Sequence, residues 1–166
     1  DPQWWQGTRA RLLAARGTRP QPSRDDKVVT AWNGLAIAAL ADAGVLLGRP
    51  DLVAAAEAAA SYVLQTHDAA GPDGPAGPDG PDGHRDPGRV LHRTSRAGRV
   101  GPAPAVLDDH ANLAEGLLAL HQATGDARWG EAAASLLDRA LARFVDADGT
   151  VHDTAHDAPA LFARPA

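Results

Sequence analysis

The stretch RDDKVVTAWNGLAIAALADAGVLLGRPD, residues 24–51, holds the chain's only lysine, Lys27, behind Asp25 and Asp26, and then runs into a long apolar segment. Trp32, Leu35, Ala36, Ala39, Leu40, Ala43, Leu46 and Leu47 recur at steps of three and four, which predicts a helix over about 31–47 with that face turned inward. Gly48-Arg-Pro-Asp51 reads as a stop and a restart, with glycine closing one helix and proline and aspartate opening the next. The second helix is expected over about 52–65, with Leu52, Ala56, Ala59, Ala60, Val63 and Leu64 on one side.

The same pattern returns 77 residues later. Gly48 meets Gly125, Leu40 meets Leu117, Leu52 meets Trp129 and Ala56 meets Ala133. One helix therefore begins near Asp109, with Leu113, Gly116, Leu117 and Leu120 as its face. The next follows Thr124–Trp129 and ends near Phe144, carrying Ala133, Leu136, Leu137, Ala140 and Leu141. The unit is a helical hairpin followed by a long loop, and such hairpins stack because a lone one leaves an apolar face bare. The first helix of each unit is the richer in apolar and small residues, as an inner helix would be. A further helix is expected over about 4–16, with Trp5, Leu12 and Leu13 as a modest stripe. It is broken by Gly17–Ser23, where prolines remove donors. Two and a half hairpins make an arc, so a piece of a larger protein is expected, with apolar surface at its ends.

Between the units lies GPDGPAGPDGPDG, residues 71–83, which has glycine at every third place. Four or five such triplets are too few for a collagen triple helix, and a solvated Gly/Pro loop over about 69–88 is expected. Arg89–Val100 is expected to form a short β-hairpin about Ala97-Gly98. Asp146–Asp153 reads as a turn leading to a short strand.

Composition narrows the function classes. The 166 residues suit one domain or part of a larger one, and 44% hydrophobic with only 4% aromatic residues calls for a close-packed helical core. The net charge of −5, with no basic stripe, argues against a nucleic-acid partner. No run approaches the ~20 apolar residues that span a bilayer, and no signal peptide is visible. A cytoplasmic protein without membrane contact is expected. Without cysteine there is no disulfide and no thiolate.

Two polar clusters stand at the starts of the two inner helices: Asp25-Asp26-Lys27, and Asp108-Asp109-His110. Helix N-termini favour anionic groups. Thr30, and Asp108 or Asp109, are expected to be N-caps worth ~1 kcal/mol each. The remaining groups suit a sugar or polyol, which needs carboxylates, an amide and an aromatic platform. Asp26 and Asp109 are candidate catalytic carboxylates, as acid and base. His110, its charged form disfavoured by the helix dipole, is a candidate base. Asp25, Lys27, Trp32, Asn33, Arg93, Arg96 and Asp108 are candidate substrate-binding residues. For Trp32 a core position is the alternative. Arg93 and Arg96 would pair with the aspartates, bind an anionic ligand group, or stand as solvated surface residues. His92 is expected at the surface. His152 and His156 are spaced like metal ligands but lack a third, so no metal is expected. No P-loop, dinucleotide fingerprint or nucleophile elbow appears, and no cofactor is expected.

RLLAARGTRPQPSRDDKVVTAWNGLAIAALADAG, residues 11–44, resembles the thioredoxin domain-containing proteins related to spermatogenesis-associated protein 20, through Asp25–Leu35 above all. VLDDHANLAEGLLALHQATGDARW, residues 106–129, and DTAHDAPALFARP, residues 153–165, resemble two further blocks. The resemblance implies an all-α fold: part of an (α/α)6 toroid, the six-hairpin glycosidase-like architecture shared with N-acylglucosamine 2-epimerases. It also implies, in the parent chain, the remaining hairpins and an N-terminal thioredoxin-like domain. A carbohydrate ligand follows from the fold alone. The alternative is a non-catalytic interaction scaffold serving the redox domain. Relatives carry tyrosine at the place of His110 and lack His152 and His156, and the Gly/Pro loop is an insertion.

Overall fold

The computed structural model describes residues 1–70 and 89–158. Five helices dominate it: α1 (Pro2–Gly17), α2 (Thr30–Leu46), α3 (Pro50–Thr66), α4 (Leu107–Thr124) and α5 (Ala127–Phe144). The strands are β1 (Val28–Val29), β2 (Asp68–Ala70), β3 (Arg89–Leu91), β4 (Thr94–Arg96) and β5 (Arg99–Val100). The fold is thus helical with a small sheet and a hairpin, as expected, and helix ends fall within a few residues of those read from periodicity. The starts of α2 and α4, and those of α3 and α5, are each 77 residues apart, so the repeat is one of structure. Gly48 and Gly125 both adopt left-handed backbone, φ 61° and 71°, where a side chain would be strained. Pro50 then opens α3, and the Asp126 carboxylate caps α5 by accepting from Arg128 N–H at 3.0 Å.

The core lies where α2, α3, α4 and α5 meet, around Ile37, Val63, Leu113, Leu117, Leu120, Trp129 and Leu136. The two inner helices run parallel. Ala31 bonds Asp109, Gly34 lies on Asn112, and Gly116 lies on Ile37. This approach needs glycine: a Cβ on Gly34 would collide with the Asn112 carbonyl, and one on Gly116 would stand 2.6 Å from the Gly34 carbonyl oxygen.

That packing corrects the expected face of α2. Its buried residues are Thr30, Ala31, Gly34, Ile37, Ala41 and Gly44. Trp32 and Leu46 are 72% and 83% exposed, and Leu35 and Leu47 are exposed as well. A helix apolar all round does not reveal by periodicity which side faces the core. Here the small side wins, because only it lets two backbones come into contact. The alternative of Trp32 as a core residue is likewise set aside. In α1, capped by Asp1, no residue is buried, and Trp5, Leu12 and Leu13 are all exposed.

β4 and β5 form the expected hairpin, with Ala97 and Gly98 at φ 50° and 74° in its two-residue turn. β1 adds a third strand that patterning did not reveal, in sheet order β1-β4-β5 with Val28 opposite Ser95. β2 and β3 pair antiparallel on either side of the Gly/Pro segment, so Ala69 and Ala70 belong to a strand rather than to that loop. Residues 71–88 of the expected loop lie outside the described residues. Asp146–Gly149 forms the expected turn, closed by a single bridge between Val145 and Val151.

Candidate functional site

The sequence candidates gather at one end of the molecule, where α2 and α4 begin beside the three-stranded sheet. Thr30 does not cap α2. Val29 is the N-cap and Thr30 the first helical residue, fully buried. The N-cap of α4 is Val106, so neither Asp108 nor Asp109 fills that position. Asp109, at N3, instead accepts from Val106 N–H at 3.0 Å through Oδ2, the reciprocal half of a capping box. Its Oδ1 accepts from Ala31 N–H, also at 3.0 Å. One carboxylate, 1% exposed, thus satisfies free donors on two helices and joins their N-termini.

His110 is equally enclosed. Its Nδ1–H donates to the Val106 carbonyl at 3.0 Å, and its ring stands edge-on to Phe144 at 5.1 Å between centroids. Burial first, and then the guanidinium groups of Arg139 and Arg143, push its pKa below the ordinary histidine value. The neutral form expected from the sequence is therefore favoured, chiefly by desolvation. Asp109 and His110 hold structural partners and face no solvent. Asp108 is exposed.

The first cluster is open. Asp25 pairs with Lys27 at 3.2 Å, and Asp26 with Arg96 at 3.4 Å, all four side chains being more than half exposed. The Lys27 ammonium lowers the Asp25 pKa. Asn33 donates through Nδ2 to the Val29 carbonyl at 2.8 Å, and Trp32 is exposed on the same turn of α2. Arg93 is exposed, while its carbonyl accepts from Thr30 N–H at 3.0 Å. The structure therefore brings Asp25, Asp26, Lys27 and Arg96 together in solvent. An open groove elsewhere, along α2 and α4, is lined by Ala38, Asp42, Ala111, Glu115 and Leu118, and contains none of the candidates.

Two buried polar groupings escaped sequence reading. The Thr30 hydroxyl donates its one proton to the His92 carbonyl at 2.7 Å, so its oxygen accepts from His67 Nδ1–H at 2.6 Å. Nε2 of His67 is then left to accept from the Ser95 hydroxyl at 2.7 Å, with the Tyr62 hydroxyl 3.4 Å beyond. Burial, and then the neighbouring His92, lower the His67 pKa. This chain ties the start of α2, the end of α3 and β4 together. It also leaves His92, expected at the surface, half-buried. The other grouping is a two-pronged ion pair, Arg139 to Asp68 at 2.7 and 3.0 Å, 7% and 6% exposed. It had a visible signal: Arg139 sits on the buried stripe of α5 with Leu136 and Ala140. His67 had none, since its ring partners, Thr30 and Ser95, come from two segments distant in the chain.

His152 Nε2 lies 2.8 Å from Asp146 Oδ2, whereas Nδ1–H of His156 donates to the Arg143 carbonyl at 3.2 Å. The two histidines are thus engaged with different partners. No described helix is long and apolar enough to cross a membrane.

No protein-family model matches the chain. Spermatogenesis-associated protein 20 of Homo sapiens is 31% identical to it over 139 residues. The proteins of that name from Mus musculus and Rattus norvegicus are each 32% identical over 146 residues. Each alignment takes in 84% of this chain but 16% of the relative, so the chain spans about a sixth of the length of the curated relatives it matches. The chain is therefore homologous to part of spermatogenesis-associated protein 20.

Proposed function

We propose that this chain is a wall segment of a larger toroid of paired helices, and that the end where α2 and α4 begin forms part of a mouth that binds a sugar or polyol. The observation that carries the reading is the Asp109–Ala31 bond, which sets two parallel inner helices to start at one end. At that end Trp32, Asp26 and Lys27 are solvent-exposed and of the types that hold hydroxyl-rich ligands. The role proposed is binding, because Asp109 and His110, two of the three candidate catalytic groups, already hold internal partners. Calorimetry on the natural-length protein with a panel of saccharides tests it. Trp32→Ala and Asp26→Ala are each expected to weaken binding at least tenfold. A protein that binds no saccharide, or binds one with indifference to both changes, rules it out.

A second reading is a non-catalytic scaffold for an attached thioredoxin-like domain. It is favoured by the exposed Trp32, Leu35 and Leu46 on α2, which is apolar on the side turned away from its own core. In that case the same panel finds no ligand.

A further inference from the structure

The register of the small sheet assembles a row of cations that the sequence leaves scattered. Val28 pairs with Ser95 and Val29 with Thr94, and continuing that register by one residue sets Lys27 opposite Arg96. Arg96 in turn lies directly opposite Arg99. Directly opposed residues of neighbouring strands project from the same face. Ser95, between Thr94 and Arg96, points to the buried face, so the row Lys27, Arg96, Arg99 stands on the solvent face.

Two arginines opposed across a hairpin repel one another, an arrangement that opposite charge relieves. The described residues supply only part of that charge. Asp25 sits 3.2 Å from Lys27 and Asp26 3.4 Å from Arg96. Arg99, and Arg93 just before β4, form no ion pair among the described residues. Asp108 and Asp109 stand at the start of α4, so the unpaired positive charge belongs to the arginines of the sheet rather than to the whole end that α2 and α4 share. Guanidinium forks match the paired oxygens of phosphates and carboxylates, and an ammonium adds a point charge.

We propose that the row Lys27, Arg96 and Arg99 binds the phosphate or carboxylate of a small ligand, so that the mouth takes an anionic sugar in preference to a neutral one. The sugar part of this statement rests on the reading of the mouth given above, whereas the oxyanion part rests on the sheet register. Asp26 would release Arg96 to the ligand as it binds.

The test is calorimetry on the natural-length protein with glucose, glucose 6-phosphate, glucuronate and inorganic phosphate. The two charged sugars are expected to bind at least tenfold tighter than glucose. Arg99→Gln and Arg96→Gln are expected to abolish that preference, while Arg9→Gln, an exposed arginine of α1, leaves it intact. Comparison of glucose 6-phosphate with glucuronate tells phosphate from carboxylate. Equal affinity for glucose and its charged forms overturns the cation row and leaves the sugar mouth standing. Phosphate binding as tightly as glucose 6-phosphate, lost in Arg99→Gln, with no glucose binding, upholds the row and ends the sugar reading. A preference that survives both sheet substitutions, or falls equally with Arg9→Gln, overturns the row.

Discussion

The starts of α2 and α4 occupy equivalent places in the repeat and solve the same local problem with different side chains. At the fourth helical position Asn33 and His110 both donate to the carbonyl of their own N-cap, Val29 and Val106, at 2.8 and 3.0 Å. At the third position the two part company: Trp32 is 72% exposed, and Asp109 is 1% exposed. The difference teaches that a helix start is shaped by what it faces. Asp109 points across the parallel contact and serves both helices, whereas Trp32, at the same place on the neighbouring helix, points away from it. A repeated backbone thus yields one buried, structural start and one start open to solvent.

The contrast is tested most severely at Asp109. Asp109→Ala leaves two N–H donors, of Ala31 and Val106, without their partner, and an unsatisfied buried donor costs ~1–3 kcal/mol. Chemical denaturation is expected to show a loss of about 3 kcal/mol, on that same scale. A loss within the ~0.5 kcal/mol typical of surface changes means that the carboxylate does not join the helices.

A smaller effect separates the two starts by pH. His110 and His67 have pKa values lowered by burial, below the 6.5 of an unperturbed histidine. The unfolded chain therefore takes up protons that the folded one refuses, so their contribution to stability is fully present above about pH 6.5 and is lost as pH falls toward the folded values. The urea midpoint is expected to fall between pH 7.5 and 5. His110→Asn, which installs the residue of the first start, is expected to remove part of that fall. A midpoint whose pH dependence is identical in wild type and variant assigns the titration to other groups. Smallest of all, Trp32→Ala is expected to change stability by less than ~0.5 kcal/mol, as exposed positions do. A loss several times larger in the same denaturation experiment means that the indole is packed rather than free.

Much of the helical plan was legible from residue spacing. Gly48 and Gly125 marked both turns, because a left-handed residue after a helix is a local demand that glycine, lacking a Cβ, meets at the least cost. The face of α4 was legible because Leu113, Leu117 and Leu120 contrast with Glu115 and Gln122. The face of α2 was not, because nearly every side of it is apolar and the choice fell to Gly34 meeting Gly116. At the site, Asp109 and His110 were visible as polar residues at a helix start, yet their burial depends on Ala31 and Phe144, 78 and 34 positions away in the chain. The expected pairing of arginine with aspartate is seen at Arg96 and Asp26.

By itself the amino-acid order determined the number and extent of the hairpin helices, the tight turn within each pair and the period that relates them, because these follow from interactions within one or two turns of chain. Tertiary structure alone decided which side of α2 is covered, that β1 joins the sheet, and that one acidic start is sealed while the other stays open. Those outcomes follow from close contact between segments far apart in the chain, where the space left by a missing side chain outweighs the hydrophobicity of a present one.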